Sequence, residues 1–83
     1  MTTTNTLKIG YYALLREQRG LSEETLESAA ATPEELYATL KEAHGFTLDS
    51  GQLKVVINDA FKPWNTPLQP NDNVVFIPPV AGG

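Results

Sequence analysis

Val74-Val75-Phe76-Ile77 is a run of four apolar residues following the turn-forming triplet Asn71-Asp72-Asn73. Successive strand residues point to opposite faces, so a strand that is apolar at every position has both faces to cover. In a chain of 83 residues, which buries only about 60–65% of its unfolded surface, such a strand belongs in the middle of a single small sheet. Its faces are then covered by protein on both sides, or by a helix on one side and a partner on the other. This constrains the fold more than any other feature, and the remaining elements are read around it. A hydrophobic content of 41% supports a globular chain over a disordered one.

Leu7-Lys8-Ile9-Gly10-Tyr11-Tyr12 alternates loosely and is rich in strand formers, which predicts a first strand. Residues 13–19 are helix formers and stop at Gly20, a natural C-terminal cap. Residues 23–28 are read as a second strand, although only Thr25 and Leu26 favour one. Thr32-Pro33-Glu34-Glu35 then carries an N-cap, a proline at the first helical position and a capping-box glutamate. The helix it opens is predicted over 33–44, with Leu36, Leu40 and Ala43 on its apolar stripe, Gly45 at its end and Phe46 folding back. Residues 53–57 form a strand, Asn58-Asp59 a turn, and residues 60–62 a short returning arm. Pro63, Pro67 and Pro70 break regularity before the last strand. If that last strand lies beside the first, the result is an α+β fold. It has a mixed sheet crossed by one main helix, the β-grasp or ubiquitin-like architecture, in one domain spanning 1–83. No internal repeat or linker divides it.

The chain has no cysteine and one histidine, so disulfides, thiol nucleophiles and thiolate metal sites are excluded and no metal is expected. His44 lies at the predicted helix end, where a cation is mildly favoured. No Ser, Cys or metal-ligand partner is positioned beside it for catalysis. The net charge is −4, which disfavours nucleic acid and anionic membranes as partners. Seven of the ten acids (Glu17, Glu23, Glu24, Glu27, Glu34, Glu35 and Glu42) fall in the first half, so an acidic face seeking a basic partner is expected there. The opening Met-Thr-Thr-Thr-Asn-Thr lacks the basic and apolar regions of a signal peptide. No run approaches the ~20 apolar residues of a membrane span. A soluble, cytoplasmic protein is the expectation.

The sequence closes on Pro78-Pro79-Val80-Ala81-Gly82-Gly83. Two prolines favour an extended stem, and two glycines without Cβ atoms make a thin tip. No side chain is charged after Asp72, so this segment could enter a narrow channel without desolvating a charge. Six residues at ~3.3 Å each reach roughly 20 Å from the last strand. Residues 78–83 are therefore read as a protruding tail whose reactive group is the Gly83 carboxylate. Phe76, Ile77, Pro78, Pro79, Val80 and Ala81, which lead into the tip, are the expected partner contacts. Tyr11, Phe61, Trp64 and Phe76 serve either the core or that partner surface.

The ending from Asn71 to Gly83, with its turn, apolar strand, Pro-Pro-Val step and Gly-Gly, resembles the family of small sulfur-carrier subunits of molybdopterin synthase. The first strand running directly into a Leu-Arg helix, and the Thr-Pro-Glu-Glu-Leu helix start, extend the resemblance from Leu7 to Gly83. Asn71 and Asn73 stand where that family often has Gly and Glu, and both keep turn chemistry. The resemblance implies that an adenylyltransferase related to ubiquitin-activating enzymes uses ATP to adenylate Gly83, with Gly82 beside it. A sulfur donor protein then leaves a C-terminal thiocarboxylate. The tail enters the large synthase subunit and gives sulfur to a cyclic pyranopterin monophosphate, forming the dithiolene of molybdopterin. No cofactor is held permanently by the chain. Sulfur carriage for thiamine or cysteine biosynthesis, and conjugation to protein lysines through Gly83, remain open because those carriers and modifiers share the Gly-Gly end.

Overall fold

Asn73–Ile77 is the middle strand of a five-stranded sheet. The computed structural model describes residues 4–79. In chain order the elements are β1 (Asn5–Tyr11), α1 (Ala13–Arg19), β2 (Glu23–Ser28) and α2 (Pro33–His44). A 3-10 turn (Ser50–Gln52), β3 (Lys54–Ile57), β4 (Ala60–Phe61) and β5 (Asn73–Ile77) follow. The sheet order is β2-β1-β5-β3-β4. β5 runs parallel to β1 and antiparallel to β3, and the outer pairings are antiparallel. This is the mixed sheet of a β-grasp, with α2 across one face.

The alternation along β5 assigns the two faces. Val74 and Phe76 are buried with Leu7, Ile9, Tyr11, Val55 and Ile57, while Val75 and Ile77 are only half-buried on the other side. α2 covers the first face through Pro33, Leu36, Tyr37 and Leu40. The ring of Tyr37 lies 5.2 Å from Phe76 and 5.9 Å from Phe46, and Trp64 stacks on Phe76 at 5.9 Å. Aromatic pairs at these separations add to area burial, which matters in a core this small. Tyr37 replaces Ala43 on the expected stripe, and Ala43 is exposed. The buried positions follow the i, i+3, i+4, i+7 pattern from Pro33, and Phe46 folds back to close the far end of the core.

Local chemistry sets the element ends. Thr32 Oγ1 accepts the N–H of Glu35 at 3.3 Å, but the Glu35 carboxylate accepts the N–H of Ala31 at 3.4 Å instead of that of Thr32. The box thus reaches one residue further back than the sequence pattern implies. Gly20 and Gly45, both with positive φ, cap α1 and α2 through N–H bonds to Arg16 and Lys41 carbonyls at 2.8 Å. Asn58 and Asp59 both have positive φ, the geometry of a two-residue hairpin turn between β3 and β4. Their turn is tied to the start of β5. Asn58 Nδ2 donates to the Asp72 carboxylate at 2.9 Å, and the same carboxylate accepts the Gln69 N–H at 2.8 Å.

β2 forms despite its weak propensity because tertiary contacts hold it. Leu26 packs against the core, and Glu24 is gripped on both oxygens. Arg19 donates to Glu24 from Nε and from a terminal nitrogen, each at 2.8 Å, and the buried Tyr11 hydroxyl donates at 2.6 Å. Arg19 is the main reason the Glu24 carboxyl titrates below its usual value, and burial is the main reason the Tyr11 phenol is raised. A depressed carboxyl contributes stability above its unfolded pKa that is lost as pH falls through the folded value.

Glu24→Gln is therefore expected to cost about 1–3 kcal/mol at neutral pH. It should also remove part of the stability loss seen on acidification below the ordinary value of 4.5, as read by urea titrations from pH 7 downwards. Ala13 opens α1 at φ 50°, a region that disfavours a Cβ by about 1–2 kcal/mol. Thermal melts should show Ala13→Gly equal to or more stable than the parent, and Ala13→Val less stable.

Candidate functional site

The parallel pairing of β1 with β5 sends both chains out of the same edge of the sheet, with Tyr11 opposite Phe76. There β1 turns at once into α1, whereas β5 continues into Pro78 and Pro79. Neither proline has an N–H to extend the ladder, so pairing stops at Ile77. The root of the tail is thus laid against the start of α1. An open groove of about 690 Å³ lies between them, lined by Tyr12, Leu14, Leu48, Ile77, Pro78 and Pro79 and flanked by Arg16 and Glu17. Tyr12 is 53% exposed and Leu14 38%. α1 turns only Leu15 inward, which leaves these apolar neighbours on the surface.

The second part of the site is the sheet face opposite α2. Cross-strand register places Gly10, Val75, Val56 and Phe61 in one transverse row, with Lys8 and Asn73 in the row on one side and Lys54 and Ile77 on the other. Phe61 is 71% exposed, the most exposed large apolar side chain among the described residues. It stands beside Lys54 and Lys62 at the far end of the face, next to the half-buried Trp64. A row of apolar side chains on an open sheet face, continuous with an apolar groove, marks a protein-contact surface.

The expected contact residues divide sharply. Ile77 and Pro79 retain exposed surface beside the groove, and Pro78 is buried at its wall. Phe76 is fully buried against Tyr37 and Trp64. Alternation turns it to the α2 face, so it has no side-chain surface to offer and is a core residue, not a partner contact. Of the other surplus aromatics, Tyr11 is also core, and only Phe61 is freely presented. Val80, Ala81, Gly82 and Gly83 lie outside the described residues. Tyr12, Leu14 and Val75 join the surface without having been singled out in the sequence. For Tyr12 and Leu14 the signal was available: a seven-residue helix buries one stripe, so the apolar residues flanking Leu15 must face outward.

The acids do not gather on this site. Glu34, Glu35 and Glu42 are on α2, behind the sheet, and Glu23 and Glu27 are on the β2 edge. The open face carries Lys8 and Lys54, with Lys8 3.8 Å from Glu23. The anticipated acidic face is therefore not a single surface, and the side nearest the tail root is mixed in charge. Among the described residues no group of three or more His, Cys, Asp or Glu converges as a metal site would require, and no helix is long and apolar enough to cross a membrane.

Comparison with known proteins places this geometry. Residues 9–83 match the ThiS family. The chain is 32% identical over 80 residues to the molybdopterin synthase sulfur carrier subunit of Haemophilus influenzae, covering 93% of this chain and 99% of that one. Its structure is similar to a chain in a protein–protein complex of subunits 1 and 2 of the molybdopterin-converting factor from Helicobacter pylori, with a TM-score of 0.63, 28% identity, and coverage of 94% of this chain and 99% of that one. It also shares its fold with the small archaeal modifier protein 1 of Haloferax volcanii, with a TM-score of 0.75, 20% identity, and coverage of 92% and 99%. At that identity the last likeness speaks for the fold alone. With its match running from the middle of β1 to Gly83, the chain belongs to the ThiS family.

Proposed function

We propose that this chain is the sulfur-carrier subunit of a molybdopterin synthase, acting through the carboxylate of Gly83. The observation that carries the reading is the family match, which extends through the Pro-Pro-Val-Ala-Gly-Gly ending. The likeness to a named sulfur carrier over nearly the whole of both chains supports it further. A carboxylate with a pKa of about 3.5 is ionised at neutral pH and is a poor electrophile. Its oxygen therefore attacks the α-phosphorus of ATP on an activating enzyme and releases pyrophosphate. The outer sulfur of a donor protein's persulfide then attacks the acyl carbon and displaces AMP. A thiol cleaves the resulting acyl disulfide, releasing the terminus as a thiocarboxylate and leaving the donor sulfur in a disulfide with that thiol. This chemistry asks for no cysteine or metal in the carrier, only a thin and reachable end.

The large synthase subunit is proposed to cover the open sheet face and the groove at the tail root while the tail delivers sulfur to the pterin precursor. Support comes from the apolar row at Val75, Val56 and Phe61, which Ile77 in the neighbouring row links to the root of the tail, and from the likeness to a chain of a subunit 1–subunit 2 complex. The contacts expected to matter are Phe61 and Ile77, with Val80 and Ala81 following the tail inwards. The alternative use of the same activated carboxylate, conjugation to lysines, predicts a different product from the same adenylate.

Phe61→Asp should weaken binding to the large subunit by about tenfold or more, measured by calorimetry, while the free chain melts within a few degrees of the parent. Phe76→Asp should instead prevent folding, because it places a charge in the core. Adding one residue after Gly83 moves the reacting group by ~3.5 Å, beyond what an aligned transfer tolerates. The extended chain is expected to bind the large subunit normally and to convert no precursor. Normal conversion by the extended chain would remove Gly83 from the sulfur-bearing role. Lysine conjugates in cells, with unimpaired molybdoenzyme activity on deletion of the chain, would move the reading to a protein modifier.

A further inference from the structure

The open face is not level. Along its transverse row the side chains grow from none at Gly10, through Val75 and Val56, to the projecting ring of Phe61. At the Gly10 end lies a hollow of about 270 Å³, with Gly10, Val75 and Tyr12 among its lining residues and Lys8, Arg16, Glu23, Asp59 and Asn73 supplying charged and polar groups. Glycine in a strand is unfavourable unless something close requires it. Gly10 is not among the residues with positive φ, so the backbone does not demand it. A Cβ built there meets the Val75 side chain, with Cγ2 at 3.0 Å, Cγ1 at 3.6 Å and Cβ at 3.7 Å, and those are its three nearest neighbours. A small residue at 75 would relieve that contact and admit a side chain at 10. The chain has taken the other arrangement, which puts the depression on β1, beside α1 and the tail root.

We propose that Gly10 is a specificity-determining residue of the partner surface, keeping open a hollow that receives one projecting side chain of the large subunit. This inference rests on the synthase reading above. The lining sets the chemistry of the guest: a small apolar patch at Gly10 and Val75, set among polar and charged groups of both signs, fits an unbranched side chain with a methylene stem and a hydrogen-bonding or charged tip. Phe61 at the opposite end is the complementary knob, so the face and its partner interlock in one orientation. Fixed orientation is what directs a short tail into a single pocket.

The test moves the hollow from β1 to β5 at the cost of one added methyl group. In Gly10→Val/Val75→Ala a valine stands on β1 in place of the one on β5, and the Val75 Cγ atoms that a Cβ at position 10 meets at 3.0 and 3.6 Å are gone, leaving a Cβ–Cβ contact at 3.7 Å. The free swapped chain is expected to melt within a few degrees of the parent, and its Kd for the intact large subunit, by calorimetry, to rise about tenfold or more. An unchanged Kd in a folded swap overturns the proposal while leaving the synthase reading standing. If the parent chain itself does not bind a large subunit, both fall. Should the swap not fold, Gly10→Ala is compared with Gly10 in a Val75→Ala background. There a severalfold loss of affinity caused by the added methyl supports the proposal and equal affinity overturns it.

Discussion

The register of β5 against β1 decides everything else in this molecule. With Val74 beside Ile9 and Phe76 beside Tyr11, two of the four apolar β5 side chains enter the core and two stay out. A slip by one residue would exchange the two sets and expose Phe76. The register is pinned at the start of the strand by a set of bonds that no apolar contact could supply. Lys8 N–H donates to the Asp72 carbonyl at 3.0 Å, and Asn71 N–H to the Thr6 carbonyl at 2.7 Å. The Asp72 side chain, itself buried, is fully occupied by Asn58 and Gln69. A polar turn thus determines which hydrophobic residues become core and which become surface.

That dependence explains what could be read from the sequence. The helix over Pro33–His44 and the short helix over Ala13–Arg19 were legible to the residue because Thr32, Pro33, Gly20 and Gly45 mark backbone geometry directly. The central place of β5 followed from its unbroken apolar run. Which of its residues face which way did not, because a run without alternation carries no phase. Phe76 looked like a contact for that reason. β2 was faint in the sequence because it is held by Tyr11, Arg19 and Glu24, which are brought together only by the fold. Ala43 and Tyr37 exchanged roles for a similar reason: the helix orientation is set by an aromatic cluster of α2, Phe46, Trp64 and Phe76.

Stability and recognition are separated by the sheet. The cluster around Tyr37 and Phe76 lies wholly on the α2 side, and the largest apolar groups left exposed lie at the open face or at α1. A substitution on the open face therefore removes little folding energy, since the atoms lost were partly in water already. In a small domain with a modest core, this separation permits a contact surface to be varied without loss of the fold.

The placement of charge follows the same division. Three acids on α2 stand behind the sheet, two of them in its first turn, where they favour the helix dipole. On the open face Lys8 and Lys54 flank an apolar row instead. Whatever docks there is selected chiefly by shape and apolar contact, with charge at the rim affecting encounter more than affinity. Under the sulfur-carrier reading this is the required arrangement. Among the described residues lining the groove at the tail root, only Arg16 and Glu17 carry charge. The chain's contribution is to hold the base of the tail rigidly, between a parallel strand pair and two prolines, so that a partner's chemistry meets the tip at a fixed place. Such positioning converts an encounter into an aligned reaction, and here it begins with the register that Asp72 and its neighbours impose.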